Sequence, residues 1–158
     1  MTARTRMAMR ALPFALPFAL PFVMTSLAAP AHAQTVATGH RDILLQADHS
    51  WNGTAYTHYP TTRPQLTMIR LIIPPHTALP WHEHPVPNAG YVLEGQLTIT
   101  DRETGKSRIF HTGESFAESV NDVHRGASGD TRTVLLITYS GTPGTPTSIP
   151  AKGEKPEY

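Results

Sequence analysis

Two histidines separated by one residue, His82 and His84, stand in the stretch Pro80-Trp81-His82-Glu83-His84-Pro85, and a third, His124, follows forty residues after His84. In an extended chain, side chains at i and i+2 share a face. Two imidazoles on one strand face and a third from another strand are what a first-row metal ion needs. The chain has no cysteine, so thiolate ligands are excluded and any metal site must use histidine, carboxylate or amide groups. Three neutral imidazoles suit Fe, Mn, Ni, Zn or Cu alike, so one divalent transition metal is expected and its identity is left open.

The elements that must position these rings read as strands. Asp42 to Trp51 and Thr54 to Tyr59 suggest a hairpin around Asn52-Gly53, since a type I′ turn needs positive φ at both positions. Gln65 to Ile73 is a β-branched and apolar run stopped by Pro74-Pro75. Leu79 to His84 is a short strand carrying the histidine pair. Gly90 to Thr100 reads as one long strand with a kink or bulge at Gly95. Ser107 to His111, Ser115 to Ser119 and Val123 to Gly126 follow, separated by polar turns. Thr131 to Tyr139 has the composition of a central strand, and Ser148-Ile149 can add an edge strand to a Pro-, Gly- and Thr-rich tail. No twelve-residue stretch after the leader has helical periodicity. Eight to ten short, evenly spaced strands define an all-β class: sandwich, jelly roll or barrel.

The first 33 residues read as a cleaved secretory signal. Arg4, Arg6 and Arg10 precede a threefold Ala-Leu-Pro-Phe repeat (11–22), and Ala31-His32-Ala33 offers a small-x-small cleavage site. Pro13, Pro17 and Pro21 interrupt the apolar run, which argues against a spanning anchor. With no Arg-Arg pair, general secretion is favoured over the twin-arginine route. The expected destination is a bacterial periplasm or the exterior. The whole chain of 158 residues carries a net charge of +1, with 13 Lys+Arg against 12 Asp+Glu. Without its three leader arginines the mature protein is about −2. It has no basic cluster for nucleic acid, and no membrane association is expected once the leader is removed. The remaining length suits one domain, with a flexible arm over 34–40, the domain itself over 41–140 and an irregular tail over 141–158.

Within that domain the residues resemble the cupin superfamily. His82-x-His84, three residues, Asn88, six residues and Gly95 repeat the spacing of the first cupin motif. Gly113 with His124 eleven residues on repeats that of the second, and Tyr91-Val92-Leu93-Glu94-Gly95 is similar to the usual wording of the family. The likeness spans roughly residues 65 to 140. It implies a double-stranded β-helix, a small single-domain jelly-roll barrel, around a mononuclear metal held by His82, His84 and His124. Four positions depart from the family pattern. Asn88 stands at the ligand glutamate and His76 at the glycine opening the first motif. Ser119 and Asn121 stand at the proline and glycine of the second, and Ser128 at its last Asn. Asparagine tolerates positive φ, so Asn121 suits that turn.

Losing the glutamate leaves a divalent ion at net +2 rather than +1, which favours anionic substrate atoms such as enolate, carboxylate or phenolate. Asn88 can ligate through its carbonyl oxygen, orient a water, or fill the place. Glu118, six residues before His124, is the carboxylate best placed to take over; the competing reading is an ordinary surface glutamate. Glu83 should face outward and Arg125 away from His124. His76 can border the pocket mouth, whereas His40, His49, His58 and His111 read as surface residues. Trp81, Tyr91, Phe110 and Phe116 read as core or pocket wall, and Gly90 as a position leaving inner space for a ligand.

The leading functional expectation is a metal-dependent enzyme on a small organic, anionic substrate. Oxygenase chemistry similar to quercetinase is favoured, and an isomerase comes next, with Asn88 or Glu118 handling water or the proton. The alternative is a non-catalytic periplasmic small-molecule-binding protein, in which the histidines only line a polar pocket. A structural role ranks third, because cupins often pair as homodimers through sheet edges.

Overall fold

The computed structural model describes residues 38–158. The leader expected over 1–33, and the arm up to residue 37, lie outside the described residues. Among the described residues nine strands form: β1 (Gln65–Ile73), β2 (His82–Glu83), β3 (Asn88–Glu94), β4 (Gln96–Asp101), β5 (Ser107–His111), β6 (Ser115–Ala117), β7 (His124–Ser128), β8 (Thr133–Gly141) and β9 (Ile149–Pro150). They divide into two antiparallel sheets, ordered β1-β8-β3-β6 and β5-β4-β7-β2-β9. The fold is an all-β jelly roll. Its sheets stay open at their edges, so the expected closed barrel is a two-sheet sandwich. Among the described residues no helix is long and apolar enough to cross a membrane.

The period-two pattern of the sequence accounts for the pairing. In β1, Ile69, Leu71 and Ile73 point toward the sandwich interior while Leu66, Met68 and Ile72 are exposed. β1 pairs along the whole of β8, from Gln65 opposite Gly141 to Ile73 opposite Thr133. β8 is hydrogen-bonded on its other side to β3 and is therefore central, as its composition predicts. Val92, Phe116, Leu135 and Ile137 of this sheet pack against Leu97, Ile99 and Phe110 of the other. Each such buried side chain contributes roughly 1.5–3 kcal/mol relative to exposure, so apposed sheet faces hold the sandwich.

Two expectations need correction. The run Gly90 to Thr100 is not one kinked strand: it breaks at Gly95 into β3 and β4, which belong to different sheets. Gly95 has φ +78°, and a Cβ there would run into the Arg132 carbonyl, so only glycine fits this corner. Thr133 Oγ1 donates to the Gln96 carbonyl at 2.6 Å and fastens the same corner. Residues 42–59 do not form two strands. A single bridge joins His49 and Ala55 across a turn at Asn52-Gly53, in which Gly53 alone takes positive φ, so the turn is not type I′. The segment instead clamps the short edge strand β6. Trp51 N–H donates to the Ala117 carbonyl at 2.8 Å, and Tyr56 Oη donates to the Glu118 carbonyl at 2.6 Å. With no strand partner beyond that edge, Ile43 and Leu44 stay exposed.

Candidate metal centre

Strand register brings the histidines together. β2 and β7 are antiparallel neighbours, and their one paired position sets His82 directly opposite His124. His84 follows two residues after His82 and is fixed by a bridge to Val120. The three rings lie 4.9, 4.9 and 5.0 Å apart between centroids. Their ligating nitrogens all fall within 4.8 Å of one another, and the rings are only 1–2% exposed.

Each ring is oriented by the backbone. Nδ1 of His82 bonds the Pro80 carbonyl at 2.9 Å, that of His84 the Thr147 carbonyl at 2.6 Å and that of His124 the Asp122 carbonyl at 2.8 Å. A carbonyl can only accept, so each Nδ1 carries the proton and each Nε2 keeps its lone pair when the ring is neutral. Backbone bonds of this kind fix tautomer and ring plane in metal-binding histidines. The His82 and His124 carbonyl partners lie two residues upstream of each ring, so local chain geometry presets both. That of His84 comes from the tail.

Glu118, on the connection between β6 and β7, turns inward and is buried. Its Oε2 lies 2.8 Å from His84 Nε2 and its Oε1 3.7 Å from His124 Nε2. Burial pushes the Glu118 carboxyl up, but the facing His84 and His124 outweigh this and hold it well below the usual carboxylate range. Burial pushes His84 down, and the Glu118 charge overcomes it and raises His84. For His82, burial and then the charges of His84 and His124 push the value down to about 4. Facing two imidazoles, the Glu118 carboxylate is placed to balance charge at the centre. With Glu118 ionised beside the rings, a divalent ion held there would carry net +1, against net +2 beside Asn88 alone.

A second carboxylate was missed by sequence reasoning. Glu157 enters from the tail with its side chain 4% exposed, and its Oε2 lies 3.5 Å from His82 Nε2. Nothing in the sequence around Glu157 distinguishes it from a solvated tail glutamate. The edge strand expected at Ser148-Ile149 in the otherwise irregular tail forms one residue further on, as β9 on the edge of β2, with Pro150 opposite His82 and Ile149 opposite Glu83.

The fit to a metal ion rests on the atoms left without partners. His84 Nε2, His124 Nε2, Glu118 Oε2, Glu157 Oε2, both amide atoms of Asn88 and Tyr139 Oη are buried with no hydrogen bond. The 2.8 Å approach of Glu118 to His84 has ion-pair length without hydrogen-bond alignment. Buried polar atoms are almost always satisfied, and three convergent imidazole donors with a carboxylate beside them are a set a first-row cation satisfies.

The other candidates distribute as follows. Asn88 is buried at the start of β3. Glu83 faces the outside, beside Arg102 and Lys152. His76 does not border a pocket: its side chain is 71% exposed, 3.7 Å from Asp130. It does adopt φ +50°, and Asn121 φ +58°, so both residues standing at motif glycines keep the left-handed backbone. Arg125 stacks over Trp81 at 4.3 Å and Arg102 lies 5.7 Å from the same ring. Trp81 is thus a half-buried residue between cations, not core. Tyr91 also points away from the interior, whereas Phe110 and Phe116 are core. Gly90 leaves no free space, because the Phe116 ring fills it.

Fold and centre together define a jelly-roll protein with a buried three-histidine site. Residues 69–139 match the family described as the cupin domain, and the chain carries a small cupin domain there. No curated protein matches the chain. Among solved structures, the DMSP lyase DddQ from Ruegeria pomeroyi is similar at 20% identity and TM-score 0.46, over 51% of this chain and 41% of that one. The polyketide cyclase RemF from Streptomyces resistomycificus gives 18% identity and TM-score 0.47, over 54% and 60%. A cupin-like protein from Thermotoga maritima gives 19% and 0.47, over 54% and 64%. The chain spans less than half the length of the lyase.

Proposed function

We propose that this protein is an exported, metal-dependent cupin enzyme acting on a small organic anion, with oxygenase chemistry of the quercetinase kind as the leading reaction. One observation carries the reading: three Nε2 atoms converge while every Nδ1 is held by a main-chain carbonyl. Pocket-lining histidines need no such shared arrangement. A bound divalent ion would supply Lewis acidity and a template for an anionic oxygen. His82, His84 and His124 would hold it, Glu118 would balance part of its charge, and Asn88 would offer an amide to substrate or water. The non-catalytic alternative draws its support from the missing motif carboxylate, and the approach of Glu118 to His84 at 2.8 Å supports the enzyme reading over it.

Three measurements test the reading. Elemental analysis of untagged protein from its native compartment should find about one transition-metal ion per chain. The His82→Ala, His84→Ala double variant should lose it. Apo-protein reloaded with each divalent metal should consume O2 with an enolic or phenolic substrate. Metal binding without turnover on any such substrate refutes the oxygenase reading, and unchanged small-molecule binding by the double variant favours a carrier.

A further inference from the structure

The segment Ile149–Tyr158 lies across the histidine centre as a strap, and its attachments are uneven. Its first part is anchored: β9 pairs with β2, and Ala151 N–H donates to the Trp81 carbonyl at 2.9 Å. A turn closes from Glu154 N–H to the Ala151 carbonyl. Among the described residues, no main-chain hydrogen bond holds Lys155–Tyr158 beyond it. Two side chains hold that end. Tyr158, itself 57% exposed, meets Thr147 Oγ1 at 2.7 Å, and Glu157 reaches His82.

The two carboxylates divide the three imidazoles between them. Glu118 approaches His84 and His124, and Glu157 faces His82. The division has a charge consequence at a divalent ion. Glu118 alone leaves net +1, which attracts an anion, whereas Glu118 and Glu157 together leave zero. A buried carboxylate oxygen with no hydrogen-bond partner is costly unless something charged at the centre compensates it, and Glu157 Oε2 is such an atom. The histidines are 1–2% exposed with the strap seated.

We propose that Glu157 is a displaceable carboxylate of the metal centre, carried on the Ile149–Tyr158 strap, and holds the position that a carboxylate or phenolate substrate takes as the strap lifts. This rests on the metal reading above. The strap is then both lid and internal competitor: it keeps the centre neutral and dry until an anion replaces Glu157.

The test uses full-length protein with Co(II) as the spectroscopic metal and azide and benzoate as anions, comparing wild type with Glu157→Gln and Tyr158→Phe. A strap seated roughly nine-tenths of the time weakens apparent anion binding about tenfold. Glu157→Gln should therefore shift the visible Co(II) bands and bind both anions about tenfold more tightly than wild type. Tyr158→Phe, which keeps Glu157 but loses the Thr147 contact, should tighten anion binding by a smaller factor and serves if Glu157→Gln does not fold. Unchanged bands and anion affinities within about twofold of wild type in the folded variants overturn the strap proposal and leave the metal reading standing. Failure of wild type to bind Co(II) at all overturns both.

Discussion

At the scale of single residues, the site separates groups that bind from groups that position. Removing His124 takes away both a donor and the partner of His82 across β2 and β7. His124→Ala should abolish stoichiometric metal uptake, measured by elemental analysis after dialysis. Glu118→Gln keeps the shape but loses the charge facing His84 and His124. It should lower metal affinity on the order of 10–100-fold, read by competition with a chromophoric chelator. An effect below about twofold would assign Glu118 a purely structural role. Of these groups the sequence made the three histidines legible, because strand parity and motif spacing are local signals. Glu118 was legible only as a candidate, since six residues of separation say nothing about which way a connection turns. Glu157 was not legible, because its approach depends on where a tail lands.

At the scale of elements, two glycines and one aspartate carry checkable consequences. Gly95→Ala forces a side chain into a left-handed corner and against the Arg132 carbonyl. It should cost roughly 1–3 kcal/mol, measured by chemical denaturation. Gly90→Ala drives a methyl into the Phe116 ring and should destabilise by about 1–3 kcal/mol. Combining it with Phe116→Leu should recover part of the loss; no recovery would mean that the methyl clashes with something else. Asp101, at the end of β4 opposite His124, accepts from Thr104 N–H at 2.8 Å, Thr104 Oγ1 at 2.9 Å and Asn52 Nδ2 at 3.0 Å. Burial pushes its carboxyl up, but these bonds prevail and hold it below its ordinary value. The sign follows: the stabilisation is present above the unfolded pKa and is lost as pH falls through the lower folded one. Asp101→Asn should therefore reduce melting temperature near neutrality. The gap to wild type should narrow as pH drops below about 4.

At the scale of the whole molecule, metal binding should be coupled to stability, because the centre is assembled from β2, β7, the Glu118 connection and the tail. A metal at 100 times its dissociation constant adds about 2.7 kcal/mol, which should raise the melting temperature by roughly 10 °C. A chelator should reverse the shift, and calorimetry showing the same transition with and without metal would argue against a shared site. Export is tested separately. Mass spectrometry of protein from its native host should find cleavage before Gln34, and retention of residues 1–33 would refute the secretory reading.

The all-β class, the two motifs and the histidine trio were legible from the residues alone, because each follows from spacing along the chain. It also predicted that Asn121 would take the left-handed turn. Tertiary structure decided the remainder. The sheet change at Gly95, the filling of Gly90 by Phe116, the open-edged sandwich and the arrival of Glu118 and Glu157 at the histidines all join residues from different elements. Such meetings are set by how sheets pack and where a tail docks, which no periodicity within one segment encodes.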